Sequence, residues 1–495
     1  MNHLALLPIL IPFFGAVIAL FLMRAPRWQG YWSLGVLGTA VFSSSYLLWT
    51  VHATGEAIVF YGGGWIAPFG IAIVGDLLGA LMALMSQAVL LLGTLYALGA
   101  KDKNARYPGF YPLFLMLTTG LTGTFLTGDL FNLFVFTELL VISGTVLTAI
   151  SDDKLGAEAA YKYFYISLLA ATFLLLANGT LYVSYGTLNL ADLAERIAQN
   201  PDVPLLTTSI AFLMATFMIK SAVFPFHFWQ PDFHTAAPTA VSAMLSSVVV
   251  KLGVYGFLRM TTLLFVEQAA LIQTLLVVLG VIGIFFGGLS AIGTHNVKRM
   301  LAYSTLAQIG FILVGIGWGT PLSIAAALVF TVNHSLIKAA MLMLAGFVAS
   351  RASVKSAAFA VVTGLGQQLP LAGGLFFVGA LALAGIPPTN GFISKLLLFN
   401  SGVAGTQLLV LSLMALGSLA TLIYTMRAFQ RIWWEPQLDT AVTLKPTGDN
   451  LIAPALLIGL VVALGLWAEP LVQLTDATTR WLAQPEFYIT AVLGN

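Results

Sequence analysis

The sequence predicts an all-α polytopic membrane protein. Hydrophobic residues make up 59% of the 495, charged residues only 8%, and mean hydropathy is +0.95. The apolar residues fall in runs of about 20, the length that crosses ~30 Å of hydrocarbon at 1.5 Å per residue. This composition excludes a soluble domain and a disordered chain alike. A net charge of +2, spread between loops, gives no reason to expect nucleic acid as a partner. The absence of cysteine removes disulfides, thiol catalysis and cysteine-ligated iron–sulfur clusters.

Taken in order, the runs lie at about 4–23, 31–51, 73–99, 109–127, 130–150, 159–186, 206–230, 238–263, 268–293, 300–317, 321–349, 367–400, 404–432 and 451–470, which makes fourteen spans. The first has no basic stretch before it and is followed by Arg24 and Arg27, so it reads as a retained helix rather than a cleaved signal peptide. Alternating the loops places Arg24, Arg27, Lys101, Lys103, Arg106, Lys154, Lys162, Lys298, Arg299, Arg351, Lys355, Arg427, Arg431 and Lys445 on one face. Only Arg196, Arg259 and Arg480 fall on the other. The basic face is expected to be cytoplasmic, which puts both termini outside a plasma membrane.

Two spans are interrupted. Lys220 is followed by Pro225 and Pro231 in the seventh, and Gly385-Ile386-Pro387-Pro388-Thr389-Asn390-Gly391 precedes Lys395 in the twelfth. Proline removes an amide donor and clashes with the preceding turn, so both helices should unwind locally. With five spans between the breaks, helices 4–8 and 9–13 read as two inverted five-helix repeats. The implied divisions are 1–108, 109–263, 268–432 and a last helix with its tail at 433–495. Unwound backbone within a membrane is tolerated where it lines a polar cavity.

The candidate functional residues are the ions at depth. Lys220, Lys251, Lys338 and Lys395 each sit inside an apolar run, and Glu138 lies as deep in the fifth. A charge at the centre of a spanning helix costs roughly 2.5–3.5 kcal/mol, so this set points to charge movement through the membrane and to lysines that spend part of their time neutral. An ammonium about 4 Å from Glu138 is worth ~4 kcal/mol at an effective dielectric of 20. Lys220 is the natural partner for such a pair, and a purely structural salt bridge is the competing reading. Lys251 follows on the next helix, while His334 and Lys338 stand four apart, on one helical face. Histidine titrates near neutrality, so these neighbours form a candidate proton relay. Helix packing for His334 and snorkelling for Lys338 and Lys395 are the alternatives.

Asp129, after Thr127-Gly128, reads as a helix N-cap. Asp76 reads equally as a cap or an ion-uptake ligand. His227 and His234 could extend a proton path or hydrogen-bond backbone freed by the prolines. Trp433-Trp434, beside Arg427 and Arg431, reads as an interfacial aromatic belt. No phosphate-cradling loop, zinc motif or nucleophile elbow is present, so no cofactor is expected, and the metal question stays open.

The run from Lys220 through Pro225, His227, Trp229, Pro231, Asp232 and His234, then Ala237-Pro238-Thr239-Ala240-Val241-Ser242, Lys251-Leu252-Gly253-Val254-Tyr255 and Arg259, resembles the central motif of the antiporter-like subunit family. That family is shared by Mrp-type multisubunit Na⁺/H⁺ antiporters, respiratory complex I and membrane-bound hydrogenases. Lys298 to Thr305 and Asn333 to Ala339 resemble its later motifs, and the likeness spans essentially the whole chain. Thr127 to Glu138 and Gly186 to Leu193 are most similar to the D-type branch of Mrp subunits, as are the overall length and the lysine at 395. Gln230 and Phe233 depart from the pattern, where small or aliphatic residues are expected.

The resemblance implies a proton-translocating subunit of a cation/proton antiporter complex, a transporter rather than an enzyme. Glu138 and Lys220 would then form a switch, Lys251, His334 and Lys338 would pass protons laterally, and Lys395 would exchange them with one side. The implied partners are other small and large membrane subunits, the lipid bilayer, protons and Na⁺, with K⁺ or Li⁺ as possible substitutes. Two rivals stay open: a proton-pumping subunit of complex I or of a hydrogenase, and a self-sufficient transporter for an organic solute.

Overall fold

The computed structural model describes residues 2–101, 103–151, 153–438 and 441–494. Its helices are α1 (Leu7–Phe21), α2 (Pro26–Thr54), α3 (Leu77–Gly99), α4 (Phe110–Leu126), α5 (Leu130–Ala149), α6 (Lys154–Tyr185), α7 (Leu190–Gln199), α8 (Leu206–Lys220), α9 (Trp229–Ala236), α10 (Thr239–Met244) and α11 (Lys251–Arg259). They continue as α12 (Ala269–Gly293), α13 (Val297–Gly317), α14 (Pro321–Arg351), α15 (Phe359–Val362), α16 (Pro370–Ala384), α17 (Asn390–Ala404), α18 (Leu408–Trp433), α19 (Ile452–Leu466), α20 (Glu469–Leu482) and α21 (Pro485–Leu493). Among the described residues, nine helices are long and apolar enough to span a bilayer, counting 239–264 as one. The bent pair α19–α20 makes up to ten, and α1, α4, α8 and α16 are shorter apolar helices.

Three segments differ from the sequence expectation. Residues 73–75, assigned above to the third span, lie in strand β2 (Ala72–Gly75), which pairs antiparallel with β1 (Ile58–Tyr61). The helix starts only at Leu77, because Asp76 caps it by accepting a hydrogen bond from the Gly79 amide at 2.8 Å. Helix α7 is short and amphipathic, too short to register as an apolar run. The C-terminal tail is helical, with α20 turned 78° from α19.

Both predicted breaks are present, and each leaves helix ends inside the bundle. Helix α8 stops at Lys220, and Ala222 takes a left-handed conformation with φ 53°. The chain resumes as α9 at Trp229. Helix α16 stops at Ala384 with Gly385 left-handed at φ 84°, and α17 begins at Asn390. Between α10 and α11 the helix widens into a π turn over Leu245–Val249, immediately before Lys251. Such bulges frequently mark functional positions.

Helix α14 organises the centre. It packs against α13, α16, α17, α19 and α20, and also against α10 and the π turn. It therefore touches both halves that the sequence delimits. A predominantly apolar helix belongs in the interior, and Asn333, His334 and Lys338, among the polar residues α14 carries, are buried with it.

Candidate functional site

Glu138 is set by α5, whose first turn is fixed by Asp129: the carboxylate accepts from the Asn132 amide at 2.8 Å, as a cap should. Glu138 lies two and a half turns further along, half-buried. Lys220 is the last residue of α8, buried at 6% exposure, where the negative end of the helix dipole favours a cation. The two side chains do not touch. Among the described residues, Glu138 Oε1 and Lys220 Nζ are each buried without a hydrogen-bond partner, although each feels the other's charge. The direct pair expected at about 4 Å is thus open in this conformation. Both halves come from different helices, so their separation depends on how α5 and α8 pack, which no sequence spacing encodes. Tyr163 of α6 is also within electrostatic reach of Glu138, and its ring packs on Trp229 and Phe233 of α9.

Ser221, next to Lys220, donates to the Val250 carbonyl at 3.2 Å, immediately before Lys251. Glycine at 253 makes this approach feasible: a Cβ there would lie 2.0 Å from Ser221 Oγ and 2.4 Å from the Phe217 carbonyl. Lys251 Nζ sits 2.6 Å from His334 Nδ1, with both residues buried. One geometry serves both directions of transfer, since a protonated amine can donate to the ring nitrogen and a neutral amine can accept from it. His334 therefore pairs across helices to Lys251. It does not pair along α14 with Lys338, as the four-residue spacing suggested.

Lys338 donates to the Leu301 carbonyl at 3.0 Å and to Ser304 Oγ at 2.8 Å, and Tyr424 of α18 donates to the same hydroxyl at 2.8 Å. Lys395 donates to the carbonyl of Ala384, the last residue of α16, at 2.9 Å. Its ammonium also lies over the Phe311 ring at 4.9 Å. Between His334 and Lys395 is a cavity of about 10 Å³ lined by Gln308, Asn333 and Ser394. That is room for about one water molecule. Asn333 Nδ2 holds the start of α17, donating to the Asn390 carbonyl at 2.9 Å and to Ser394 Oγ at 2.7 Å. All four lysines are thus interior, and snorkelling to an interface does not describe them.

The secondary candidates divide. His234 is buried beside Ser242, 3.2 Å from its hydroxyl, and within reach of the charges on Lys338 and Lys298. His227 instead packs against the rings of Phe224 and Phe286. Asp76 is both a cap and half of a buried ion pair, with Arg259 Nη2 at 2.6 Å. Alternation of the loops puts Arg259 on an outer face, yet its guanidinium lies inside, over the rings of Tyr255 and Tyr488. Trp433 is no belt residue: it is buried and donates to the Leu369 carbonyl at 3.2 Å, while Trp434 is 69% exposed. Ser304, Tyr424 and Asn333 complete the site as polar residues in apolar helices, with no charge to single them out in the sequence. Among the described residues no group of three or more His, Asp or Glu could hold a metal ion.

Residues 127–423 match the NADH:quinone oxidoreductase/Mrp antiporter transmembrane family. The chain belongs to that family. The match covers more than half of the chain and includes Glu138, His334 and the four buried lysines. Among family relatives, the chain is 32% identical over 497 residues to the D-type Na(+)/H(+) antiporter subunit of Bacillus subtilis, covering 100% of both. It is 34% identical to the N-type NADH-quinone oxidoreductase subunit of Desulforudis audaxviator, covering 95% of this chain and 97% of that one. In structure it is similar to a chain of the Mrp complex from Dietzia sp. DQ12-45-1b, with a TM-score of 0.90, 27% identity and coverage of 100% and 99%.

Proposed function

We propose that this family member is the proton-translocating subunit of a multisubunit Na⁺/H⁺ antiporter of Mrp type, working beside other membrane subunits in a cell membrane. The observation that carries the reading is the Lys251–His334 contact at 2.6 Å. It joins the sequence segment 109–263 to the segment 268–432 through two groups that can each hold and release a proton. The full-length likeness to a D-type antiporter subunit supports the same reading.

In this mechanism Glu138 and Lys220 are the switch. When the carboxylate approaches, the ammonium is held charged; when it withdraws to the separation seen here, Lys220 releases its proton toward Lys251 along the Ser221–Val250 junction. Lys251 and His334 pass it across α14. Lys338, held by Ser304 and the Leu301 carbonyl, is the next carrier beyond His334 and hands the proton on toward Lys395. Lys395, reached through the water-sized cavity, exchanges it with one side at the C-terminal end of α16. The two five-helix repeats, fourteen spans and outward termini are part of this proposal.

His334→Ala tests it: in everted vesicles carrying the whole complex, the variant should assemble and show antiport reduced by roughly 100-fold, the lower range for loss of a positioned acid–base group. Antiport at the native rate would sink the relay. The 34% identity to a quinone oxidoreductase subunit favours one second reading, a proton pump in a respiratory complex. Purifying the native assembly separates the two, since redox-cofactor subunits travelling with this chain would establish the second.

A further inference from the structure

The largest cavity among those described lies away from the lysine array, on the face that carries most of the basic residues. It measures about 520 Å³ and is walled by the first turn of α2, the C-terminal end of α3 and the start of α4, with Arg27, Trp28, Lys101, Arg106 and Tyr111 in its lining. Among the described residues, the charged groups in its lining are all basic. Helix α2 begins here with Pro26, and Ala25 at the N-cap offers no side chain to the first-turn amides, so a 29-residue helix points its positive end into the space. Arg27, Lys101 and Arg106 form no ion pair among the described residues. The neighbouring carboxylate, Asp449, is already engaged by the Tyr96 hydroxyl at 2.6 Å and the Lys101 amide at 3.0 Å. Tyr111 lines the cavity at 2% exposure, and its hydroxyl has no hydrogen-bond partner among the described residues.

We propose that this cavity holds the headgroup of an anionic phospholipid. The phosphate sits at the first turn of α2, between the guanidinium groups of Arg27 and Arg106 and the ammonium of Lys101, and Tyr111 donates to an ester or phosphate oxygen. A lipid fits better than a free anion because of what surrounds the cavity. Phe21, at the end of α1, is 84% exposed, Trp28 71% and Tyr31 57%, and the Trp28 and Tyr31 rings contact each other with centroids 6.1 Å apart. Amphipathic rings at this level are how chains anchor at the boundary between headgroups and acyl chains. Basic pockets between spanning helices recognise anionic headgroups by the same charges.

The test uses the full chain in its native assembly, purified and stripped of lipid, then titrated with phosphatidylglycerol, phosphatidylcholine or inorganic phosphate. Retained lipid is counted by native mass spectrometry and protection by the thermal midpoint. Phosphatidylglycerol should be retained and raise the midpoint at concentrations where phosphatidylcholine and phosphate do neither. Arg27→Gln and Arg106→Gln should each weaken it about fivefold, as expected for one basic group near an anionic headgroup. Tyr111→Phe should weaken it about two- to tenfold, the range for one hydrogen bond. Arg24→Gln, on the same face but outside the cavity, should change nothing, and Arg27→Lys should bind if the glutamine variant fails to fold. The proposal is overturned by equal retention of the two lipids, by protection from inorganic phosphate alone, by equal weakening from Arg24→Gln, or by binding to the isolated chain that vanishes in the assembly. The last outcome would assign the cavity to a neighbouring membrane protein of the complex.

Discussion

At the scale of single residues, burial decides which side chains can carry protons. Lys338 and Lys395 are interior, and each is held by a carbonyl oxygen. Arginine preserves their charge but cannot release a proton in a protein. Lys338→Arg and Lys395→Arg should therefore each cut antiport by roughly 100-fold at unchanged expression. Near-native exchange in both variants would show that only charge is needed. The Asp76–Arg259 pair makes a different prediction, about stability. Removing one partner of a buried pair leaves an uncompensated charge, at about 3–5 kcal/mol. Asp76→Asn should lower the unfolding midpoint sharply, and adding Arg259→Leu should restore part of the loss; a midpoint unmoved by Asp76→Asn contradicts the pair. The ions at 138, 220, 251, 338 and 395 were legible in the sequence because charge stands out in apolar runs. Their partners were not. His334 faces Lys251 of another helix, and Arg259 reaches Asp76 across 183 residues.

At the scale of elements, the two breaks tie conformation to chemistry. Gly385 ends α16 at φ 84°, and a Cβ on it would lie 2.5 Å from Lys395 Cδ. Gly385→Ala should therefore carry a backbone penalty of about 1–2 kcal/mol and also displace the lysine. Gly374, in the same helix with nothing within 4 Å of its Cβ position, is the control. Alanine there should stabilise by about 0.5–1 kcal/mol. Thermal unfolding of both purified variants, with antiport measured alongside, checks the contrast; similar behaviour would mean that the break does not position Lys395. Proline and glycine made these breaks readable in advance. The hairpin 58–75 and helices α7, α20 and α21 were not, since none is an apolar run long enough to announce a span. The π turn before Lys251 leaves no mark in composition at all.

At the scale of the whole molecule, lipid as solvent made the architecture legible: composition alone demanded buried backbone, and helices supplied it. The proposed antiport is the work of an assembly, as the likeness to a chain of an Mrp complex suggests. Reconstituted alone in proteoliposomes, the chain should insert yet show no Na⁺-driven change in internal pH, and robust Na⁺-dependent flux would contradict the multisubunit reading. The central claim is that separation of Glu138 from Lys220 gates proton release into the array. Its most direct test is Na⁺-driven proton exchange by the whole complex carrying Glu138→Gln, in everted vesicles with assembly verified. The account predicts an assembled complex without exchange, and exchange at the native rate would contradict it.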